Sequence, residues 1–63
     1  MIVGETFRTR NGLMMVVRKT TLTEVLASVV KYPFLGCLRY NHEGERLPLG
    51  GTDPFDKWNG ENA

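Results

Sequence analysis

The sequence predicts a small α+β protein: an antiparallel, bent sheet of three or four strands with one short α-helix over a face. Three observations carry this expectation. Asn11-Gly12 sits between two strand-like runs and marks a hairpin over residues 5–19. Residues 21–32 read as a capped helix that stops at Pro33. Residues 34–41 and 45–49 then alternate in the manner of strands, before a tail over 52–63.

With 63 residues the chain is a single domain, 1–63. A chain this short buries only about 60% of its unfolded surface, so it depends on a tight core, a staple or a partner. Cys37 is the only cysteine and His42 the only histidine, which excludes an intrachain disulfide and a Cys/His zinc site within one chain. A homo-oligomer, dimer or higher, is therefore expected. A hydrophobic fraction of 41% beside 24% charged residues is the composition of a folded globule. No apolar run approaches the roughly 20 residues of a membrane span, and no basic-then-apolar leader is visible. The expectation is a cytoplasmic protein without membrane contact.

The first element is the hairpin. Asn-Gly suits a two-residue type I′ turn, in which both central residues take positive φ. That loop sets Arg8 opposite Met15 and Phe7 opposite Val16. One face then carries Phe7, Met14 and Val16 as a core face, and the other carries Arg8 and Arg10 beside Leu13, Met15 and Val17. The second face reads as a basic-rimmed apolar interface, for a second copy or a target protein. A one-residue slip exchanges the two faces.

The second element is the helix. Thr21 and Glu24 match a capping box. Leu22, Val25, Leu26, Val29 and Val30 fall on one helical stripe, which covers the sheet or pairs with a second copy. Glu24 near the start and Lys31 near the end suit the helix dipole. Pro33 disfavours helical geometry at Tyr32, so the helix ends there. Three valines favour strand instead.

The strand over 34–41 is apolar on both faces, with Gly36 marking a bend, and Asn41 to Gly44 is a turn. Pro48 makes 45–49 an edge strand. Thr52-Asp53-Pro54 is a helix-start signal, and a single turn packs Phe55 and Trp58 back on the sheet. Glu61 to Ala63 are expected to be loose.

Several short motifs together resemble very small bacteriophage and prophage proteins, mostly uncharacterised. These are Gly4, Thr9-Arg10-Asn11-Gly12, Tyr32-Pro33-Phe34-Leu35-Gly36 and Trp58-Asn59-Gly60. The resemblance spans most of the chain. The segment before Tyr32 is longer here, and Trp58 directly precedes Asn59-Gly60 without a spacer. The resemblance implies a strongly bent sheet or SH3-like barrel and a phage accessory role, counter-defence or host takeover. It carries no activity that transfers residue by residue.

Catalysis has little support. Asp53 and Asp56 sit in a cap-and-turn context, and His42 is a turn residue. A Cys37–His42 pair lacks a third orienting group. No phosphate loop, dinucleotide fingerprint or metal-spaced carboxylate set is present, so neither cofactor nor metal is expected. Anion binding fits better. Residues 1–39 hold six basic and two acidic residues, a net +4, while residues 40–63 hold two basic and five acidic, a net −3. Arg8, Arg10 and Arg39 suit phosphates, and Tyr32, Phe34, Tyr40 and Trp58 suit a nucleobase, although aromatics in a small chain are first of all core. The sequence thus points to a binding protein that sequesters a nucleotide-type signal, with a blocker of a host protein as the alternative. Nucleic-acid binding ranks third, since a pI near 7.9 is below the usual footprint.

Overall fold

The computed structural model describes residues 1–60; the expectation for Glu61 to Ala63 falls outside them. Four strands, β1 (Thr6–Arg8), β2 (Met14–Thr20), β3 (Val25–Val29) and β4 (Cys37–Tyr40), form one antiparallel sheet in chain order. The sheet is open: the edge strands β1 and β4 do not pair with each other. The one helical element among the described residues is a single 3-10 turn, Pro33–Leu35.

The hairpin forms, but one residue out of the expected register. Phe7 pairs with Met15 and Arg8 with Met14. The Thr9 amide donates to Leu13 O at 2.8 Å and the Gly12 amide to Thr9 O at 3.0 Å. The loop is therefore Arg10-Asn11-Gly12, three residues, with Gly12 alone at positive φ (88°). Asn11 stays at negative φ, which rules out the type I′ turn and gives a turn-plus-bulge loop. Thr9 holds it from inside: its hydroxyl accepts the Leu13 amide at 3.0 Å and donates to Asn11 Oδ1. The slip exchanges the faces, as period-2 geometry requires. Met15 and Val17, expected at an interface, are core; Met14 and Val16 leave the core face.

The expected α-helix over 21–32 is absent, and with it the α+β class. Thr21 to Glu24 close a tight turn instead, with the Glu24 amide on Thr21 Oγ1 at 3.0 Å and the Thr21 amide on Glu24 O at 2.9 Å. The first of these bonds is half of the capping box, used here to turn one strand into the next. The Glu24 carboxylate goes elsewhere, to the Arg39 guanidinium of β4. Val25, Ala27 and Val29 then alternate inward, a period that the helical stripe concealed. Leu22, expected on the buried stripe, is 99% exposed at the turn.

Strand β4 starts later than expected. Pro33 to Leu35 form the 3-10 turn, so Phe34 lies on a connection and not in a strand. After Tyr40 the chain repeats the three-residue loop: the Asn41 amide donates to Glu45 O and the Gly44 amide to Asn41 O. The fourth expected strand shrinks to a Tyr40–Arg46 bridge and a Leu47 amide on Arg39 O. Pairing stops at Pro48, which follows a cis peptide and has no amide to donate.

The tail folds back. Its Asp56 to Trp58 run lies antiparallel along the free edge of β1, with Arg10 N to Asp56 O at 2.9 Å and Trp58 N to Arg8 O at 2.7 Å. The core is thereby closed on the inner face of the sheet: Phe7, Met15, Val17, Val25, Ala27, Val29 and Tyr40. The rings of Phe7 and Tyr40 meet edge-on at 5.2 Å, worth about 1 kcal/mol beyond their burial.

Candidate functional site

The tail and the Asn41–Glu45 loop meet on the core side, through Lys57 N to Gly44 O at 2.8 Å and the Tyr40 hydroxyl to Phe55 O at 2.7 Å, and much of the opposite, outer face is exposed. The register defines its rows. Tail pairing sets Trp58 opposite Arg8, β1 sets Arg8 opposite Met14, and the Val30 amide continues the ladder onto Met14 O at 2.9 Å. Directly opposed residues share a face. Trp58, Arg8, Met14 and Val30 thus form one cross-strand row. All four are exposed, Trp58 at 43% and Val30 at 49%. The next row is Thr6, Val16, Ser28 and Cys37.

A β-bulge follows, where Val17 pairs with Ala27 but Lys19 with Leu26. The extra residue is Arg18, whose Nε donates to the buried Ser28 hydroxyl at 2.9 Å. This fixes Arg18 across the outer face. Lys19, Leu26 and Arg39 make the third row. The strands therefore present Arg8, Arg18, Lys19 and Arg39 outward, and the Glu24 carboxylate beside them is paired with Arg39.

Along the Arg8, Met14 and Val30 part of the first row lies an open cleft of about 350 Å³, which Leu13, Lys31 and Tyr32 also line. Arg8 Nη1 donates to Gly12 O at 2.9 Å, which holds the guanidinium at the cleft mouth. Lys31 Nζ stands 5.9 Å from the centre of the Tyr32 ring, and Phe34 meets that ring edge-on at 6.1 Å. Phe34 is itself 81% exposed. Two cations and the Tyr32 ring thus line one cleft on the outer face, with Phe34 against that ring.

Of the residues expected to bind a ligand, Arg8, Tyr32 and Phe34 come together here, and Trp58 and Arg39 lie on or beside the same face. Arg10 does not. It lines a separate polar cleft with Glu43, Glu45, Asp56 and Lys57, where the charges are mixed. Tyr40 is not on a ligand face: it is fully buried, and its hydroxyl donates to Phe55 O at 2.7 Å. Burial pushes its phenol well above the ordinary tyrosine range. Of the expected interface set, Met15, Val17, Val25 and Val29 belong to the core. Leu13 is half-buried at the cleft, Leu26 half-buried on the outer face, and Leu22 and Val30 exposed. Lys31 was missed, because a helix reading uses it only as a helix-end charge.

His42 has both ring nitrogens engaged, Nε2 with Thr21 O at 2.6 Å and Nδ1 with the Met1 ammonium at 3.2 Å. It therefore ties the β2–β3 turn to the chain start and is not turned to Cys37, which lies in the second outer row. No group of three or more His, Cys, Asp or Glu able to hold a metal occurs among the described residues. No helix among them is long and apolar enough to cross a membrane. No family model, curated protein or solved structure matches this chain.

Proposed function

We propose that the protein is a non-enzymatic binding module that takes a nucleotide-type anion on the outer face of its sheet. The observation that supports this is the cleft shared by Arg8, Lys31 and Tyr32, with Phe34 against the tyrosine ring. A guanidinium fork and an ammonium suit phosphate oxygens. An accessible ring suits a base, which stacks on any aromatic face. In the phage accessory setting that the turn motifs resemble, such a protein withdraws a nucleotide immune signal from the host cytoplasm, a counter-defence role that needs no turnover.

A second reading has its own observation. Phe34 and Leu35 stand exposed together at the 3-10 turn, as anchors for a pocket on a host defence protein would.

A thermal-shift series with mononucleotides and cyclic nucleotides tests the first reading. A ligand at ten-fold excess over its Kd raises the melting temperature by roughly 5–10 °C in a domain of this size. The Arg8→Ala, Lys31→Ala double variant keeps the unliganded melting temperature and loses the shift. If no nucleotide shifts the protein, that reading is removed. The blocking reading then requires one stoichiometric host partner that Phe34→Asp releases.

A further inference from the structure

We infer that the ligand is a short single-stranded oligonucleotide, two or three nucleotides of which lie across the outer face, and not a mononucleotide. This rests on the nucleotide reading above and extends it. The cleft runs from Arg8 past Met14 and Val30 to Tyr32, whose ring, with Phe34 against it, makes one base station at the Val30 end of the first outer row. The same row ends on the far side at Trp58, a second accessible aromatic. Between them run Val30, Met14, Arg8 and Trp58, three inter-strand steps of about 4.8 Å, or about 14 Å in all. One nucleotide seated at Tyr32 does not reach Trp58; a strand of two or three does.

The charges follow the same path. Arg8 stands inside the row and Lys31 at its end, so phosphates on either side of the middle nucleotide meet a cation. Arg18, fixed by Ser28, and Lys19 flank the second and third rows. The acidic residues Glu43, Glu45 and Asp56 lie with Arg10 and Lys57 at the other cleft, away from this row. Rings at both ends, with cations between and beside them, are the stacking platform and electrostatic groove that a single strand requires. Stacking and charge recognise any base, so binding tolerates sequence.

Trp58 is the only tryptophan, so its fluorescence reports the far station alone. The experiment titrates the unaltered protein with thymidine monophosphate and with thymidine oligomers of two, three and eight nucleotides, following Trp58 emission and calorimetric affinity. The expected result is quenching by the trimer but not by the monophosphate, with affinity rising roughly ten-fold or more from one to three nucleotides. The slope of log K against log salt is about −1.4, for two phosphates engaged. Trp58→Ala weakens the trimer roughly ten-fold and leaves the monophosphate unchanged. Equal affinity for monophosphate and trimer overturns this inference and leaves the nucleotide reading standing. Binding of neither removes both. An oligoglutamate that quenches Trp58 and binds as tightly as the trimer shows a charged peptide surface and overturns the stacking argument.

Discussion

Asp56 ties three segments of the chain together. Its Oδ1 accepts the Arg46 amide at 2.7 Å, its Oδ2 the Asp53 amide at 3.2 Å, and its backbone oxygen the Arg10 amide at 2.9 Å. Hydrogen bonds to a charged group are worth about 1.5–3 kcal/mol each, a large share of the roughly 5 kcal/mol that holds a small domain. Asp56→Ala is expected to cost about 3 kcal/mol in a urea titration, and Asp56→Asn about half of that, because one acceptor remains. Gly44 carries a different demand. It has φ of +91°, and a Cβ there would lie 2.5 Å from Lys57 Cβ, whereas a Cβ on Gly12 meets nothing within 4 Å. Gly12→Ala should therefore cost only the left-handed strain, about 1 kcal/mol, and Gly44→Ala clearly more, by the same titration. Tyr40 sets the alkaline limit. Its folded phenol is raised by burial, so the stabilisation is complete below the unfolded value of about 10 and is lost as pH rises from there toward the folded one. A pH series of melts should show that loss in the native protein and not in Tyr40→Phe, which starts about 1 kcal/mol lower for want of the bond to Phe55 O.

At the scale of elements, the chain is built from repeated tight loops. Thr9 to Leu13 and Asn41 to Glu45 close with the same pair of backbone bonds, and each loop puts a glycine, Gly12 or Gly44, in its fourth place. The existence of both was legible, since Asn-Gly and Asn-His-Glu-Gly are turn sequences. The register of the first was not. Asn-Gly serves a two-residue and a three-residue loop alike, and the choice is made outside the hairpin, where the Arg10 and Asn11 amides bond to the tail. The Thr21–Glu24 motif was read correctly as a hydrogen bond and wrongly as a helix start. The same Thr hydroxyl to Glu amide contact closes a first helical turn or a strand connection, and tertiary pairing of Val25 to Val29 with β2 and β4 decides between them. Two measurements separate these outcomes. Leu22→Asp should be neutral within about 0.5 kcal/mol, since Leu22 is solvent-exposed, while a buried helical stripe would lose 2 kcal/mol or more. Val29→Ala should cost about 2 kcal/mol as a core strand residue, and the far-UV spectrum should show no helical minimum.

At the scale of the whole molecule, the charge split along the sequence becomes a split between faces. The bulge at Arg18 and the outward parity of Arg8, Lys19 and Arg39 put basic residues of the first half on the bare side of the sheet. The acidic second half supplies Glu43, Glu45 and Asp56 to the polar cleft that Arg10 and Lys57 also line. That two-sidedness was half legible. The charges could be counted, but the return of the tail to the β1 edge could not be, because one bridge at Lys57 leaves no hydrophobic period to read. The tail also brings Trp58 to Arg8, so binding and stability share it. Removing residues 51–63 should unfold the protein, because it takes away the β1 edge partner and the acceptor for Tyr40.

The central claim is that the bare outer face, from Trp58 through Arg8 to Tyr32, is the binding surface. An amide and side-chain chemical-shift map of the full chain, titrated with a thymidine trimer, tests it most directly. The account predicts shifts confined to Arg8, Met14, Val30, Lys31, Tyr32, Phe34 and the Trp58 indole, with Arg10, Glu43 and Gly44 unmoved. Shifts centred on the Arg10–Glu43–Lys57 cleft, or none at saturating ligand, would contradict it.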